Sequence, residues 1–475
     1  MNKYLNLLTN IGVFALNAFA TRLITFLLVP LYTYYLTTTE YGITDLSIVV
    51  LSAFFPIATL CSADAVLRFV VDRTDSTEKT ISFGLFMIVL STLVVACCLP
   101  LLDLGFFGGL GNYKLYFLLY YFFNSLQWLG GSIARGLNQI RLTTVSAVVS
   151  SLTTAIGVVI LIMFQGLGVD GYFISVILAN LFGSLIFIIG GKHYQYYTPI
   201  HWSRDKALIK RMLAYSIPLV PNSLFWWANT SLNRFFITGM IGIGASGLFA
   251  AASKIPNFLN LFSNIFQQAW QLSAFQEFKK QGVERFYSLI LRVFHSGMSV
   301  IAALLILLVQ PLALILLQKD FYSAWVYVPL LLVSFFFSAL NSFMSAFYSA
   351  SMKTKALFVD TIIGLVICVV LTWLLIPPLG LYGASIAMIA SNLFVYCARV
   401  FGVRKFIDIK VNWLLIFAID CLLLTQSVVA AFNFSNYLII EIISFALLGV
   451  CVLLDLAPVA SRVFLKSAGK LSFSK

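Results

Sequence analysis

Charged residues are scarce in this chain of 475 residues: Asp, Glu, Lys and Arg together make up 10% of it. A soluble domain carries roughly 25% charged residues, so the composition excludes a water-soluble globular protein. Hydrophobic residues make up 61% of the chain, and many apolar stretches reach the ~20 residues that a helix needs to cross a bilayer core. The alternating segments of a membrane β-barrel are absent. These features predict an all-α polytopic membrane protein.

Cysteine and histidine are also few. The seven cysteines fall in apolar segments without the spacing of a disulfide framework or a zinc site, and the three histidines are scattered. We therefore expect neither a metal site nor a cofactor. The first residues lack the short apolar core and small-residue cleavage site of a signal peptide, because their apolar run continues past Leu31. We expect this segment to form the first membrane span.

The apolar stretches predict fourteen membrane-spanning helices. Their predicted ranges are 10–36, 43–69, 81–102, 114–136, 143–165, 168–191, 211–239, 246–274, 286–310, 323–349, 356–377, 380–401, 412–432 and 437–456. An even number of spans places both termini on the same side of the membrane.

Lys and Arg are distributed unequally between the two predicted sides. Twenty-five fall on the side of the termini and only Lys114 and Lys319 on the other, so the positive-inside rule predicts that both termini are cytoplasmic. Because this bias accounts for most of the +13 net charge, the charge indicates topology. We expect contact with membrane lipids and no nucleic-acid binding.

Two segments match each other at an offset of 212 residues. "LGVDGYFISVILANLF" (167–182) and "LGLYGASIAMIASNLF" (379–394) agree at eight of sixteen positions. They form the sixth and twelfth predicted spans, and an even offset in spans makes the repeat parallel, as in transporters built from two similar halves. Glycine-rich packing segments can also match by chance, but the shared Asn-Leu-Phe ending favours duplication.

The repeat predicts the domain organisation. One six-helix lobe would cover residues 1–195 and a second would cover 196–405, with the polar stretch 192–206 as the linker between them. Residues 406–475 would then contain two extra C-terminal helices and a cytoplasmic tail.

Polar side chains recur at membrane depth on single faces of several spans. At 100° per residue, those of the eighth span fall within an arc of about 140° and those of the seventh within about 60°. Unpaired amides facing lipid are costly, so these faces predict a hydrated cavity; the alternative is interhelical hydrogen bonding at roughly 0.6 kcal/mol per contact. The candidate cavity residues are Asn17 (first span), Asn229 (seventh), Asn257, Asn260, Asn264, Gln267 and Gln268 (eighth) and Asn341 (tenth).

Three cations lie inside predicted spans: Arg22, Arg234 and Lys254. Arg22 is roughly 12 residues, or about 18 Å, from either end of its helix, too far for its guanidinium to reach the surface easily. We predict that Arg22 and Lys254 face the cavity. Arg234 is only a turn or two from the outer end, so it would either line the cavity or snorkel to the surface.

Carboxylates at membrane depth are candidates for binding a coupling ion. They are Asp64, Asp360, Asp420 and Glu441, and no spacing favours one of them. For Asp64 the alternative is an ordinary helical ion pair with Arg68, four residues later.

Five segments carry a resemblance to a known family. "LLVPLYTYYLTTTEYG" (27–42), "SADAVLRF" (62–69), "YSIPLVPNSL" (215–224), "NRFFITGMIG" (233–242) and "GLFAAASKIPNFLNLFSNIFQQAW" (247–270) resemble the polysaccharide-transporter, or O-antigen flippase (Wzx-type), family. That family belongs to the multidrug/oligosaccharidyl-lipid/polysaccharide flippase (MOP) superfamily, with the multidrug antiporters (MATE) and the peptidoglycan-lipid flippases. The resemblance covers most of the first twelve predicted spans.

The resemblance implies a V-shaped, two-lobed transporter of the bacterial inner membrane. It would move undecaprenyl-pyrophosphate-linked oligosaccharides to the outer leaflet by alternating access, beside a polysaccharide polymerase and chain-length machinery. Family members often carry Asp before the arginine of the seventh span, where this sequence has Asn233. We therefore expect Arg234 to be freer to meet an anion or to face water.

Three other functions remain open. A MATE-like multidrug antiporter would typically lack the last two predicted spans. A membrane-embedded polysaccharide polymerase or ligase would usually carry its chemistry on a large external loop, whereas the external connections 103–113 and 311–322 are short and lack paired acid and base residues. A scaffold without transport activity is the third. The sequence favours a transporter over an enzyme.

The linker supplies a test of the topology. In a cysteine-free background, single cysteines at residues 195–205 should react with a membrane-impermeant thiol reagent only when it has access to the cytoplasmic side. Labelling from outside intact cells would contradict both the topology and the lobe assignment.

Overall fold

A computed structural model describes residues 26–72, 75–199, 202–277, 282–351, 353–405, 407–433 and 437–471. All regular secondary structure in these ranges is helical. Two predicted cavity residues, Asn17 and Arg22, lie outside the described residues.

The helices follow the predicted spans along the chain. In order they are α1 (Phe26–Tyr35), α2 (Thr38–Thr59), α3 (Ser62–Asp72), α4 (Thr77–Cys98), α5 (Lys114–Gly136), α6 (Ile140–Gly157), α7 (Gly168–Leu185), α8 (Trp202–Ser216), α9 (Leu219–Met240), α10 (Ile243–Ala252), α11 (Asn257–Glu277), α12 (Val283–Leu307), α13 (Val309–Leu316), α14 (Val328–Ala350), α15 (Thr354–Leu379), α16 (Leu381–Val403), α17 (Trp413–Ala431) and α18 (Tyr437–Leu471).

Ten helical segments of the described chain are long and apolar enough to cross a membrane, so this is a multi-pass membrane protein. Its all-helical class is confirmed. The count of fourteen spans stays a prediction. The predicted spans that contain α5, α9 and the pair α10–α11 are not among the ten, and most of the first predicted span lies outside the described residues.

Two spans predicted as continuous are broken. The range 43–69 contains α2 and α3, separated by Leu60 and Cys61, whose φ angles of 50° and 52° are left-handed and end the helix. The range 246–274 contains α10 and α11, separated by a turn that includes Pro256. Proline has no N–H to donate and its ring crowds the preceding turn, which favours a break here.

The chain divides by its internal contacts into two compact units. The N-terminal unit contains the described residues through Ala250, and the C-terminal unit those from Ala251 onward. This division falls 55 residues after the predicted lobe boundary at 195/196, because α8 and α9 pack with the first unit. Movement of residues 1–195 and 196–405 as separate lobes stays a prediction.

The duplicated segments form α7 and α16, which occupy equivalent places in their units. Helix α7 packs on α5 and α6, and α16 packs on α14 and α15. The matched asparagines make the same kind of contact: Asn124 Nδ2 of α5 donates to Asn180 Oδ1 at 3.3 Å, and Asn341 Nδ2 of α14 lies 3.5 Å from Asn392 Oδ1 and 3.0 Å from its carbonyl oxygen. These paired contacts explain why an asparagine stands at the same position of both copies.

Matched glycines also have equivalent roles. Gly168 and Gly380 precede the two helices with φ angles of 52° and 56°, which glycine adopts without steric cost. One turn later, a Cβ at Gly171 would crowd Leu161 and Ile162, and one at Gly383 would lie closer than 3.0 Å to the carbonyl oxygen of Leu375. At these glycines α7 therefore lies close to the segment that follows α6, and α16 lies close to the C-terminal end of α15.

We predict that Gly383→Ala destabilises the protein, because the added methyl must displace backbone atoms of α15, at a cost of about 1–3 kcal/mol. Gly449→Ala in α18 is the matched control, since a Cβ there meets nothing within 4 Å and alanine favours the helix. Thermal unfolding of detergent-purified protein should show a lower Tm for Gly383→Ala alone. Equal Tm values for the two variants would contradict the close approach.

Candidate functional site

Arg234 of α9 is paired with a carboxylate from a neighbouring helix. Its Nε lies 3.2 Å from Asp45 Oδ2 of α2, and both side chains are largely buried, at 15% and 13% exposure. The guanidinium also lies over the Phe249 ring, 4.9 Å from the centroid, which is a favourable cation–π distance. The expectation that Asn233 leaves Arg234 freer is therefore wrong, because Asp45 supplies the missing carboxylate across the α2–α9 interface.

The same interface carries a second polar contact. Trp227 Nε1, two turns before Arg234 on α9, donates to the carbonyl oxygen of Val49 on α2 at 3.0 Å. Arg234 and Trp227 therefore both join α9 to α2. The side chain of Asn229, the candidate cavity residue of the same helix, lies outside the described part of the structure.

Helix α11 exposes a row of asparagine amides. Asn257 and Asn264 are exposed and Asn260 is half-buried, with its Nδ2 donating to Asn257 Oδ1 at 3.3 Å. We call these three residues the amide face. Their spacing of three and four residues places them on one side of the helix, as the sequence predicts.

Two further predicted residues flank the amide face. Lys254 is half-buried and lies in the turn before α11, three residues before Asn257. Gln267 follows Asn264 but is only 8% exposed, and neither of its amide atoms has a hydrogen-bond partner among the described residues. The side chain of Gln268 is not described. A cation therefore precedes the amide face along the chain, and a buried amide follows it.

Other amides at membrane depth join helices together. Asn341 is 7% exposed and contacts Asn392 across the α14–α16 interface. In the N-terminal unit, Gln127 Nε2 of α5 donates to Ser146 and Ser150 of α6 at 3.2 and 2.7 Å. At Asn341 and Gln127 the structure therefore fits interhelical hydrogen bonding, the alternative to a hydrated cavity.

The carboxylates predicted to bind ions occupy different surroundings. Asp64 of α3 is exposed, and the predicted pair with Arg68 does not form, because Arg68 Nε lies 3.1 Å from Asp72 Oδ2 instead. Asp360 of α15 is half-buried and has Arg399 as its electrostatic neighbour.

Arg399 of α16 is itself a buried helix-bridging residue. It donates from Nη1 to the carbonyl oxygen of Asn341 at 2.6 Å and from Nη2 to Thr361 Oγ1 at 2.9 Å. The arginine therefore ties α16 to both α14 and α15.

Asp420 and Glu441 point into the C-terminal unit. Asp420 Oδ1 of α17 lies 2.9 Å from His295 Nε2 of α12. Glu441 of α18 is 1% exposed, and its Oε1 has no hydrogen-bond partner in the described ranges. Asp455, also 1% exposed, lies 3.9 Å from Arg292 Nε.

Sequence reasoning missed three members of this group: Arg292, His295 and Asp455. Arg292 and His295 are three residues apart, so they share one face of α12, and this spacing was the available signal. Their partners are more than 120 residues away in the sequence, where no periodicity connects them.

The sequence places the protein in a family. A sequence model of the family described as "Polysaccharide biosynthesis protein" matches residues 7–271, more than half of the 475 residues, so the chain belongs to that family. A search of curated proteins found no significant match.

Solved structures share the fold. The lipid II flippase MurJ, in an inward closed conformation, superposes with a TM-score of 0.70 at 15% identity, covering 94% of this chain and 99% of MurJ. An inward-facing multidrug resistance MATE transporter of the MOP superfamily gives 0.66 at 14% identity, covering 82% of this chain and 95% of that one. A variant of the Vibrio cholerae MATE transporter VcmN gives 0.60 at 17%, covering 85% and 98%. The protein therefore has the two-unit helical fold of these transporters.

The Arg234–Asp45 pair supplies a prediction. Asp45→Asn removes a carboxylate from beside a largely buried guanidinium, and breaking such a pair on one side typically costs about 3–5 kcal/mol. Arg234→Gln combined with Asp45→Asn removes both charges, so the double variant should be more stable than Asp45→Asn alone. Thermal unfolding of the purified variants measures this order. A double variant less stable than either single variant would show that the two charges do not depend on each other.

Proposed function

We propose that this protein is a flippase that moves an undecaprenyl-pyrophosphate-linked oligosaccharide from the cytoplasmic to the outer leaflet of a bacterial inner membrane, by alternating access and with both termini in the cytoplasm. The observation that carries this proposal is the amide face of α11 (Asn257, Asn260 and Asn264). Membership of the polysaccharide biosynthesis family supports it.

The amide face needs water or a polar ligand. Amides at membrane depth are costly when they face lipid, and two of these three are exposed rather than bonded to another helix. A carboxamide presents two N–H donors and an acceptor oxygen, which suits sugar hydroxyls. A row of such groups along one helix fits a hydrated oligosaccharide better than an apolar drug.

The pyrophosphate requires cations, and Lys254 stands at one end of the amide face. Arg22, which we assign to the cavity from the sequence, would supply a bidentate donor. We do not assign this role to Arg234, because Asp45 already neutralises it. Moving negative charge outward is downhill by roughly 2.3 kcal/mol per charge per 100 mV in a cell that is negative inside, so the protein mainly has to shelter the headgroup.

A multidrug antiporter is the second candidate, because MATE transporters share the fold. Two observations favour the flippase over it. MATE structures cover 82% and 85% of this chain, whereas MurJ covers 94%, and α17 and α18 extend the chain beyond the duplicated unit. The family match is to polysaccharide biosynthesis proteins. A polymerase or ligase has no observation in its favour.

The amide face supplies the test of this proposal. Combining Asn257→Leu with Asn264→Leu should leave the protein inserted, since both side chains are exposed, but should abolish surface polysaccharide in a flippase-null strain at matched expression. The control is Thr425→Leu, an exposed polar position on α17, which should complement fully.

Wild-type surface polysaccharide from the Asn257/Asn264 double variant would contradict a sugar-binding role for the amide face. Insertion is checked in the same cells by the amount of full-length protein in the membrane fraction.

A further inference from the structure

A line of buried polar groups runs along the interface of α12, α17 and α18 in the C-terminal unit. Following α12 from its start, Arg292 lies beside Asp455, His295 beside Asp420, and the carbonyl oxygen of Ala303 beside Gln426. The contacts from Arg292 to Ala303 extend over eleven residues, or about 16 Å of helix. On α18, Glu441 and Asp455 are separated by fourteen residues, or about 21 Å. The line therefore covers more than half of a bilayer core of ~30 Å.

Several atoms in this line lack hydrogen-bond partners within the described structure. They are His295 Nδ1, Gln426 Oε1, Glu441 Oε1 and both carboxylate oxygens of Asp455. All four residues are at most 1% exposed. Each of these atoms can accept a hydrogen bond, and an unpartnered buried acceptor is costly. Arg292 Nε is a donor of the same line that also lacks a hydrogen-bond partner among the described residues. The five unpartnered acceptors still outnumber this donor, so the line can take up further protons.

The imidazole of His295 is at the centre of the line. Its Nε2 is 2.9 Å from Asp420 Oδ1, so in the neutral ring Nε2–H donates to the carboxylate and Nδ1 keeps a bare lone pair. Phe336 of α14 packs against the ring in a T-shaped arrangement, with centroids 5.5 Å apart. Nδ1 is thus a buried base that is held in one orientation.

The charged and titratable groups around the pair come from three helices. Arg292 is on α12 itself, Asp455 of α18 has His295 and Arg292 as electrostatic neighbours, and Tyr396 and Cys397 of α16 have Asp420 as theirs. A sodium site would use oxygen ligands only, whereas this cluster contains a guanidinium and an imidazole. The ligand that fits both nitrogen and oxygen acceptors is a proton.

We propose that the His295–Asp420 pair is a proton-binding site that couples proton movement to transport. The proton adds to the lone pair of Nδ1, and the imidazolium keeps its Nε2–H bond to the Asp420 carboxylate. The pair then changes from a net charge of −1 to a neutral ion pair, and loss of the same proton reverses the step. Asp455 and Glu441 are the carboxyl groups that exchange protons on either side of it. Chains of Asp, Glu and His of this kind serve as proton relays in membrane transporters.

Proton binding is measured without any transport assay. Histidine-labelled full-length protein in nanodiscs is followed by NMR from about pH 8 to about pH 5, the range in which histidine ordinarily titrates. The His295 signal is the one missing from His295→Asn. We expect Nδ1 to bind a proton reversibly in the wild type, and Asp420→Asn to weaken this binding, because the carboxylate that stabilises the imidazolium is gone. A ring that stays neutral throughout, or that is unaffected by Asp420→Asn, would overturn the proposal.

Coupling is measured in liposomes and rests on the proposed function. With a labelled lipid-linked oligosaccharide, a pH gradient should accelerate transport by the wild type and by His193→Asn, whose histidine lies in the connection after α7. It should not accelerate transport by His295→Asn. If His295→Asn keeps the response, the coupling proposal fails. If the wild type moves no oligosaccharide at all, the proposed function fails, while the NMR titration still decides whether the site binds a proton.

Discussion

A polar group inside a bilayer has no water to bond with, so it must find a partner within the protein or face a hydrated space. Many polar groups in the described interior have a partner within the protein. Asn180 and Asn392 join equivalent helices in the two units, Arg399 ties α16 to two neighbours, and Asp45 neutralises Arg234. These contacts fix which helices pack together and at what height, since apolar contacts alone are as favourable with lipid as with another helix.

The amide face of α11 is the exception to this rule. Among the described residues, its members do not bridge to another helix in the way that Asn341 and Gln127 do, although the sequence presents all of them as similar amides at membrane depth. An amide that bridges two helices has a structural role. An amide that is exposed can bind a ligand. In the proposed function, Lys254 at the end of the row would supply the positive charge that an anionic headgroup requires.

Sequence reasoning was successful where a periodic pattern carried the information. Apolar runs located the helices, and the matched segments at 167–182 and 379–394 correspond to helices with the same neighbours. Breaks at Leu60–Cys61 and Ser253–Pro256 were missed, because an apolar run continues across both and only local backbone geometry interrupts it. The partners Asp45 and His295 were missed because each comes from a helix far away in sequence, and pairing between distant helices leaves no periodic trace.

We propose that the exposed amides of α11 and the cations Lys254 and Arg22 bind a charged, sugar-bearing lipid. The direct measurement is translocation of a labelled undecaprenyl-pyrophosphate oligosaccharide by purified protein in liposomes, beside a cationic drug as the alternative substrate. We expect wild-type protein to move the lipid-linked oligosaccharide and not the drug, and the combination of Arg22→Gln with Lys254→Gln to abolish that movement. Transport of the drug alone, or unchanged oligosaccharide transport in the double variant, would contradict the account.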